Sequence, residues 1–319
     1  MRVLSLLPAA TEIVAALGAG DELVGISHDC DWPPDIADLP RVTRSALALV
    51  GAGVGEADSS LEAAAIDELV RSHAAAGAPL FDLLSDEIAS LCPDVIVTQC
   101  VCDVCAISEA DVRALATRLS PVPRIVTMAG GTLDGVFQDI ASVAAALERD
   151  AEGRAFVAGL RDRMRVVHER LRAARAPRPR VAVIEWEDPP FAAGHWVPEL
   201  VHRAGGTDVL ARAGDHSREI APGAVEAAAP DVLVVAPCGY SLDASACSAR
   251  TLLGRESWRW AHDLPVWALD ANALLSRGGP RLIDGLETIA RILHPSLFGV
   301  PAAGASRVHP ASAPVPRSP

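Results

Sequence analysis

Three of the seven cysteines crowd into Cys100-Val101-Cys102-Asp103-Val104-Cys105, a spacing tight enough for several thiolates on one ion. Cys102 and Cys105, together with His28 and Cys30, are the candidate zinc or iron ligands, and Cys92 is another choice for the fourth position. The plainer account is a set of small buried side chains at a strand-to-helix turn, and it fits Cys100 best. His28 and Cys30 follow an apolar run, where an imidazole could stand as axial ligand to a cobalt or iron centre, with Asp29 and Asp31 tuning its basicity. A histidine that caps the turn is the alternative. Trp186, His195 and Trp196 flank Pro189-Pro190-Phe191, and amphipathic rings on a stiff loop suit a large, flat, partly polar ligand. Cys238-Gly239 ends another apolar run; a nucleophile there needs an oriented base, for which His195 and His216 are the candidates. Arg277 and Arg281 sit in a Gly-Pro loop, where a guanidinium either grips ligand amides or carboxylates or makes a salt bridge across a cleft.

Most of these residues share one kind of position, just after a short β-branched run. Such runs occupy 2–7, 23–27, 94–98, 124–127, 180–185, 231–236 and 266–269, and alanine-rich helical stretches alternate with them. The alternation predicts an α/β fold of parallel sheets with crossover helices. Ligands of such sheets bind beyond the carboxyl ends of the strands and between domains. The binding set read in this way is Pro8, Ala9, His28, Cys30, Trp32, Trp186, His195, Trp196, Cys238 and Arg277.

Two halves echo one another. Leu91-Cys92-Pro93-Asp94-Val95-Ile96-Val97 resembles Ala228-Ala229-Pro230-Asp231-Val232-Leu233-Val234, and each half opens with Arg-Val, at Arg2 and at Arg180. The first half is about 40 residues longer, so one architecture is used twice with an insertion in the first copy. The expected division is an N-terminal α/β lobe at 1–132, linker helices at 133–177, a C-terminal α/β lobe at 178–299 and a disordered tail at 300–319. Phe156, Leu160, Met164, Val167 and Leu171 recur at helical spacing. They predict a connecting helix from Asp150, read as its N-cap, to the Pro177 break, about 25 residues or roughly 37 Å long. Residues 51–60 read as a flexible loop, and Trp258 and Trp260 as anchors of a surface helix.

A net charge of −13, from 41 acidic and 28 basic side chains, argues against a nucleic-acid partner. No run is long and apolar enough to be a membrane-spanning helix. Glu12 interrupts the would-be apolar part of a leader, and a leaderless chain with an odd number of cysteines predicts a cytoplasmic protein with reduced thiols. A periplasmic protein whose leader is missing is the alternative. Gly51-Ala52-Gly53-Val54-Gly55 lacks the preceding strand that a dinucleotide cradle needs.

Ser5-Leu6-Leu7-Pro8-Ala9-Ala10-Thr11-Glu12, Val24-Gly25-Ile26-Ser27, Asp31-Trp32-Pro33-Pro34, Asp188-Pro189-Pro190-Phe191-Ala192-Ala193-Gly194 and Arg277-Gly278-Gly279-Pro280-Arg281, in that order, resemble the vitamin B12/iron-siderophore (class III) substrate-binding protein family. The resemblance covers about residues 2–298. With the cysteine run and Gly194-His195-Trp196-Val197-Pro198-Glu199, it falls nearest the branch named cobalamin-binding protein. It implies two lobes joined by a backbone helix and a non-catalytic binder of a small-molecule ligand, cobalamin or a related corrinoid or iron chelate, in the cleft. A cytosolic thiol or metal enzyme and a periplasmic importer component are the competing readings. Aromatic rings that the exported carriers place on the corrin align with Asp29 and Leu274 here, so Trp32, Trp186 or Trp196 must replace them. The carriers dock on a permease through one carboxylate per lobe. Asp86 or Glu87 fits the first lobe, but the second has Gly223, with Glu226 almost a turn away, which weighs against permease docking.

Overall fold

Each β-branched run marked above as a strand is one in the computed structural model, which describes residues 1–45, 63–76, 80–100, 107–301 and 303–309. The first lobe carries strands β1 (Val3–Ser5), β2 (Leu23–Ile26), β3 (Thr43–Ser45), β4 (Phe81–Leu83), β5 (Val95–Gln99) and β6 (Arg124–Met128). Its helices are α1 (Pro8–Ala16), α2 (Ala63–Ala76), α3 (Ser85–Ser90), α4 (Glu109–Ala116) and α5 (Leu133–Ala146). Four strands make an all-parallel sheet in the order β2-β1-β5-β6, while β3 and β4 pair with each other antiparallel. The expected flexible loop at 51–60 lies outside the described residues.

A 24-residue helix, α6 (Asp150–Ala173), follows, at about 36 Å the strut that the periodicity predicts. Arg149 rather than Asp150 is its N-cap, and Asp150 and Glu152 lie in the first turn, where carboxylates suit the positive end of the helix. Its apolar stripe of Leu160, Met164 and Val167 is buried. Salt bridges fix both of its flanks: Arg149 reaches Glu22 of the first lobe at 2.8 Å, and Arg163 reaches Asp284 and Glu287 of the second at 2.5 and 2.9 Å. A Cβ on Gly153 would stand 2.4 Å from that of Ala144, so only glycine lets α5 and α6 cross this closely.

The second lobe has strands β7 (Arg180–Glu187), β8 (Pro190–Ala192), β9 (Thr207–Asp208), β10 (Arg218–Glu219), β11 (Val232–Val235), β12 (Val266–Leu269) and β13 (Ala305–Val308). Around them lie α7 (Val197–Arg203), α8 (Pro222–Ala227), α9 (Leu242–Leu253), α10 (Ala271–Leu274), α11 (Leu282–Leu293) and α12 (Pro295–Phe298). The sheet runs β10-β8-β7-β11-β12-β13, with β9 beside β7, and its centre, β7-β11-β12, is parallel. One apolar cluster continues from Val3 and Ile13 through α5 and α6 to Leu286 and Ile289, so the lobes share a core. No helix among the described residues is long and apolar enough to cross a membrane.

The repeat is visible in atomic detail. Asp94 accepts the Arg2 N–H at 2.7 Å, as Asp231 accepts that of Arg180 at 2.8 Å. Arg2 then donates to the Leu91 carbonyl, and Arg180 to those of Ala228 and Ala229, which closes the C-terminus of the helix before each Pro-Asp. Cys92 and Ala229, at matching positions, both turn left-handed, with φ 41° and 44°.

Two expectations need correction. Residues 305–308 are not part of a structureless tail: they pair antiparallel with β12, and Val308 is buried against the second-lobe core. Pro189-Pro190-Phe191 is not an open loop either, because β7 runs on to Glu187 and turns through Asp188 and Pro189 into β8, with Trp186 opposite Phe191. Proline is tolerated there as the first residue of a short strand.

Asp208, at the end of β9, accepts backbone N–H groups from Leu210 and Ala211. Burial nevertheless pushes its carboxyl up to about 6. The folded chain therefore holds a proton that the unfolded chain releases from about pH 4, and ionisation costs the folded state no more than about 3 kcal/mol by pH 7. Asp208→Asn keeps an acceptor for both amides. Its gain in thermal stability over wild type should be near zero at about pH 4, grow through about pH 6 and then level off. A pH-independent difference in melting temperature contradicts the assignment.

Candidate functional site

The carboxyl ends of the strands in both lobes meet. On the first-lobe side stand Pro8 and Ala9 at the start of α1 and residues 28–32 after β2. On the second-lobe side stand Trp186 at the end of β7, residues 237–240 after β11 and residues 270–281 after β12. Pro8 suits its place because the first helical turn needs no N–H there. A Cβ on Gly279 would stand 3.5 Å from Ala9, which brings the β12 exit onto the start of α1.

A charge cluster bolts the lobes together at this junction. Arg277 donates through Nη1 to Glu12 Oε1 at 3.1 Å and Asp31 Oδ1 at 2.5 Å, and through Nη2 to Asp31 Oδ2 and Asn272 Oδ1, both at 2.9 Å. Arg281 grips the other side of Glu12, at 3.1 and 2.6 Å, and its guanidinium lies 5.5 Å over the Trp32 ring. Asn272 Nδ2 donates to Asp31 at 2.9 Å. Burial alone would raise the Asp31 carboxyl, but the Arg277 fork, with Asn272 and Arg281, holds it below the ordinary range. Arg277 thus makes the salt bridge between the lobes rather than pointing freely at a ligand. Glu12 is the partner that sequence reading missed, although a carboxylate in the apolar run Ala9 to Val14 signals a paired buried charge.

Aromatic groups line the neighbouring exits. Trp186 is half-buried, donates through Nε1 to the Asp188 carbonyl at 3.1 Å, and meets the Tyr240 ring edge-on at 5.5 Å. The Tyr240 carbonyl accepts the Asn272 N–H at 3.0 Å, so this pair connects through Asn272 to Asp31 in the other lobe. Cys238 is exposed, and its N–H bonds to the Glu185 carbonyl. Behind Trp186, a break in register between Ile184 and Trp186 shifts the strand, and Glu187 is 5% exposed, its carboxyl pushed up by burial. Trp32 is 46% exposed at the rim.

The other sequence candidates divide. His28 is half-buried; its Nδ1 faces Thr43 Oγ1 at 2.6 Å, its Nε2 lies 3.3 Å from Asp29, and its ring lies 5.5 Å from that of Phe81. Burial lowers its pKa and raises that of Asp29, so the neutral imidazole is favoured. Cys30 is 2% exposed, hydrogen-bonded with Thr11 at 3.1 Å and Ser27 at 3.3 Å, and burial pushes its thiol up. It is therefore a core thiol, contrary to its assignment as ligand contact and metal ligand. Trp196 also leaves the binding set: it is 6% exposed, its Nε1 donates to the Leu275 carbonyl at 2.7 Å, and its ring abuts Gly278. His195 is half-buried, 5.2 Å from the His216 ring, and faces Gly131 of the first lobe. Cys102 and Cys105 lie outside the described residues, and among the described residues no three His, Cys, Asp or Glu side chains are placed to hold a metal ion.

Two hollows among the described residues are lined by neither the charge cluster nor Trp186 and Tyr240. One, of about 420 Å³, lies between the β7-β8 turn, Ile220 and Trp258; the other, of about 430 Å³, lies between β4 and α4.

Several known proteins resemble the chain. A 43-residue stretch is 49% identical to the Vitamin B12-binding protein of Vibrio cholerae and covers 14% of this chain and 16% of that relative, so the chain matches about a sixth of the relative's length. A periplasmic heme-binding protein from Pseudomonas aeruginosa superposes with TM-score 0.70 at 19% identity, over 98% of this chain and 99% of the other. The periplasmic Vitamin B12 binding protein BtuF of Vibrio cholerae superposes with TM-score 0.61 at 23% identity, over 92% and 96%. The expectation of a cytoplasmic protein rested on the first residues of the chain and its cysteines, and the match to a family of periplasmic binding proteins overturns it. A sequence profile of the periplasmic binding proteins matches residues 3–251, and with the two-lobed fold and its long connecting helix the chain belongs to the periplasmic binding protein family.

Proposed function

We propose that the chain is a non-catalytic binder of a corrinoid such as cobalamin, or of a related metal chelate, held between the lobes. One observation carries the reading: Asp31, Asn272 and Arg277 join the strand exits of both lobes, with Trp32, Trp186 and Tyr240 beside them. Flat rings on exits from two sheets suit a large planar ligand. The relatives named for vitamin B12 and for heme support a ligand of that class. Trp32, Trp186, Tyr240, His28 and Cys238 are the proposed contacts.

The test is a titration of the purified protein with cyanocobalamin, aquocobalamin, haemin and ferric hydroxamate complexes, followed by visible absorbance. At least one should shift its bands saturably at one equivalent, and Trp186→Ala should weaken that binding about tenfold, the equivalent of about 1.4 kcal/mol. Flat titrations with every chelate refute the proposal.

A further inference from the structure

The carboxylates around Arg277 differ in how firmly they are held. Glu12 is 2% exposed and gripped from both sides, by Arg277 and by Arg281. Asp31 is 52% exposed, on the loop after β2, yet it engages both terminal nitrogens of a guanidinium that is itself only 8% exposed. A buried guanidinium in two-pronged contact with a carboxylate has the geometry by which proteins receive the carboxylate of a ligand. Here an exposed side chain of the same protein fills that receptor.

Charge balance points the same way. Arg277 and Arg281 touch Glu12 and Asp31, while Arg41, anchored on the Ser27 and Cys30 carbonyls, faces Asp29 and His28. Burial favours neutral His28. Arg277 and Arg281 thus directly oppose the two carboxylates of Glu12 and Asp31. Withdrawal of Asp31 leaves one unpaired positive charge on a desolvated guanidinium, a costly state unless another anion arrives. Asn272 Oδ1 holds Arg277 through a bond of its own, and the half-exposed Trp32 ring lies under the neighbouring Arg281 guanidinium.

We infer that Asp31 is a built-in stand-in for an anionic group of the ligand, and that one ionised carboxylate of an incoming ligand replaces it on Arg277. This deepens the binding reading above and rests on the cleft being the ligand site. Asp31 keeps the receptor neutral and the lobes joined while the cleft is empty, and it competes with the ligand when the cleft fills.

Chemical rescue of Asp31→Ala tests the inference without any chelate. Asp31 is exposed, so the variant should fold, with a lowered melting temperature. Sodium propionate, compared with sodium chloride at equal ionic strength, should restore about 2–4 °C to Asp31→Ala and leave wild type unmoved. Asp31→Ala combined with Arg277→Lys, which keeps the charge but removes the fork, should lose most of the rescue. A second arm compares chelates: haemin, which bears carboxylates, should bind Asp31→Ala about tenfold more tightly than wild type, while cyanocobalamin, which bears amides and a phosphodiester but no carboxylate, should not distinguish them. Absence of propionate rescue, equal rescue of wild type, or weaker haemin binding by Asp31→Ala overturns the inference. If neither chelate binds wild type, the chelate reading fails, and the receptor is judged on propionate alone.

Discussion

Arg277→Met should lower the stability of the chain by about 3–5 kcal/mol, the cost of removing one cation from a buried charge cluster. Glu12 is 2% exposed and cannot recover solvent, so it must rely on Arg281 alone. Asp31 loses its fork, and the exits of β1, β2 and β12 lose the bonds that hold them together. Methionine fills much of the volume, which makes lost packing a small part of the effect. Glu12→Gln in the same background removes the stranded charge and should recover part of the loss, whereas Glu12→Gln alone destabilises. Urea denaturation of the two single variants and the double variant gives the coupling directly. A loss below about 1 kcal/mol for Arg277→Met would place the cluster with solvent-screened surface pairs and remove its structural role.

Gly194→Ala is the second large effect, and its cause is steric. A Cβ there would stand 2.4 Å from the Ser217 nitrogen and 2.6 Å from both the Asp215 oxygen and the His216 carbonyl carbon, all backbone atoms that cannot swing aside. The same two segments are zipped by His195 N–H to the Asp215 carbonyl at 2.6 Å and Gly214 N–H to the His195 carbonyl at 2.8 Å. Forcing them apart should cost about 2–3 kcal/mol and move His195 away from His216. Gly223→Ala is the matched control, since nothing lies within 4 Å of its would-be Cβ. In a helical turn that change should be neutral or stabilise by up to about 1 kcal/mol. Equal denaturation midpoints for the two variants would show that the 215–217 segment yields freely.

The parts of the fold legible in the sequence were those whose residues answer to their own neighbours. Runs such as 95–97 and 232–236 are apolar at every position because both faces of a parallel strand are covered. The 3.6-residue stripe of α6 survives because one face alone is buried. The Pro-Asp echo of the two halves corresponds to one shared device, an aspartate on the first N–H of each lobe. What escaped were strands of two to four residues, β3, β4, β8, β9, β10 and β13, too short to show a period of two.

The site was legible as a set of loops but not as a set of partners. Arg277 contacts Glu12 and Asp31 some 250 residues away, and no local pattern encodes that meeting. Cys30 and Trp196 carry residue types that suggest chemistry, yet their neighbours, Thr11 and Ser27 for one and Gly278 and the Leu275 carbonyl for the other, place them inside the fold. Trp186 stands beside Tyr240 because the strand ends one residue beyond it.

The central claim is that loops from both lobes share one ligand. Amide hydrogen exchange, with and without the chelate that shifts its visible bands, tests it most directly. The account predicts added protection in both 8–12 with 28–32 and 185–187 with 237–240 and 270–277. Protection limited to one lobe, or centred on the hollow beside Ile220 and Trp258, contradicts it.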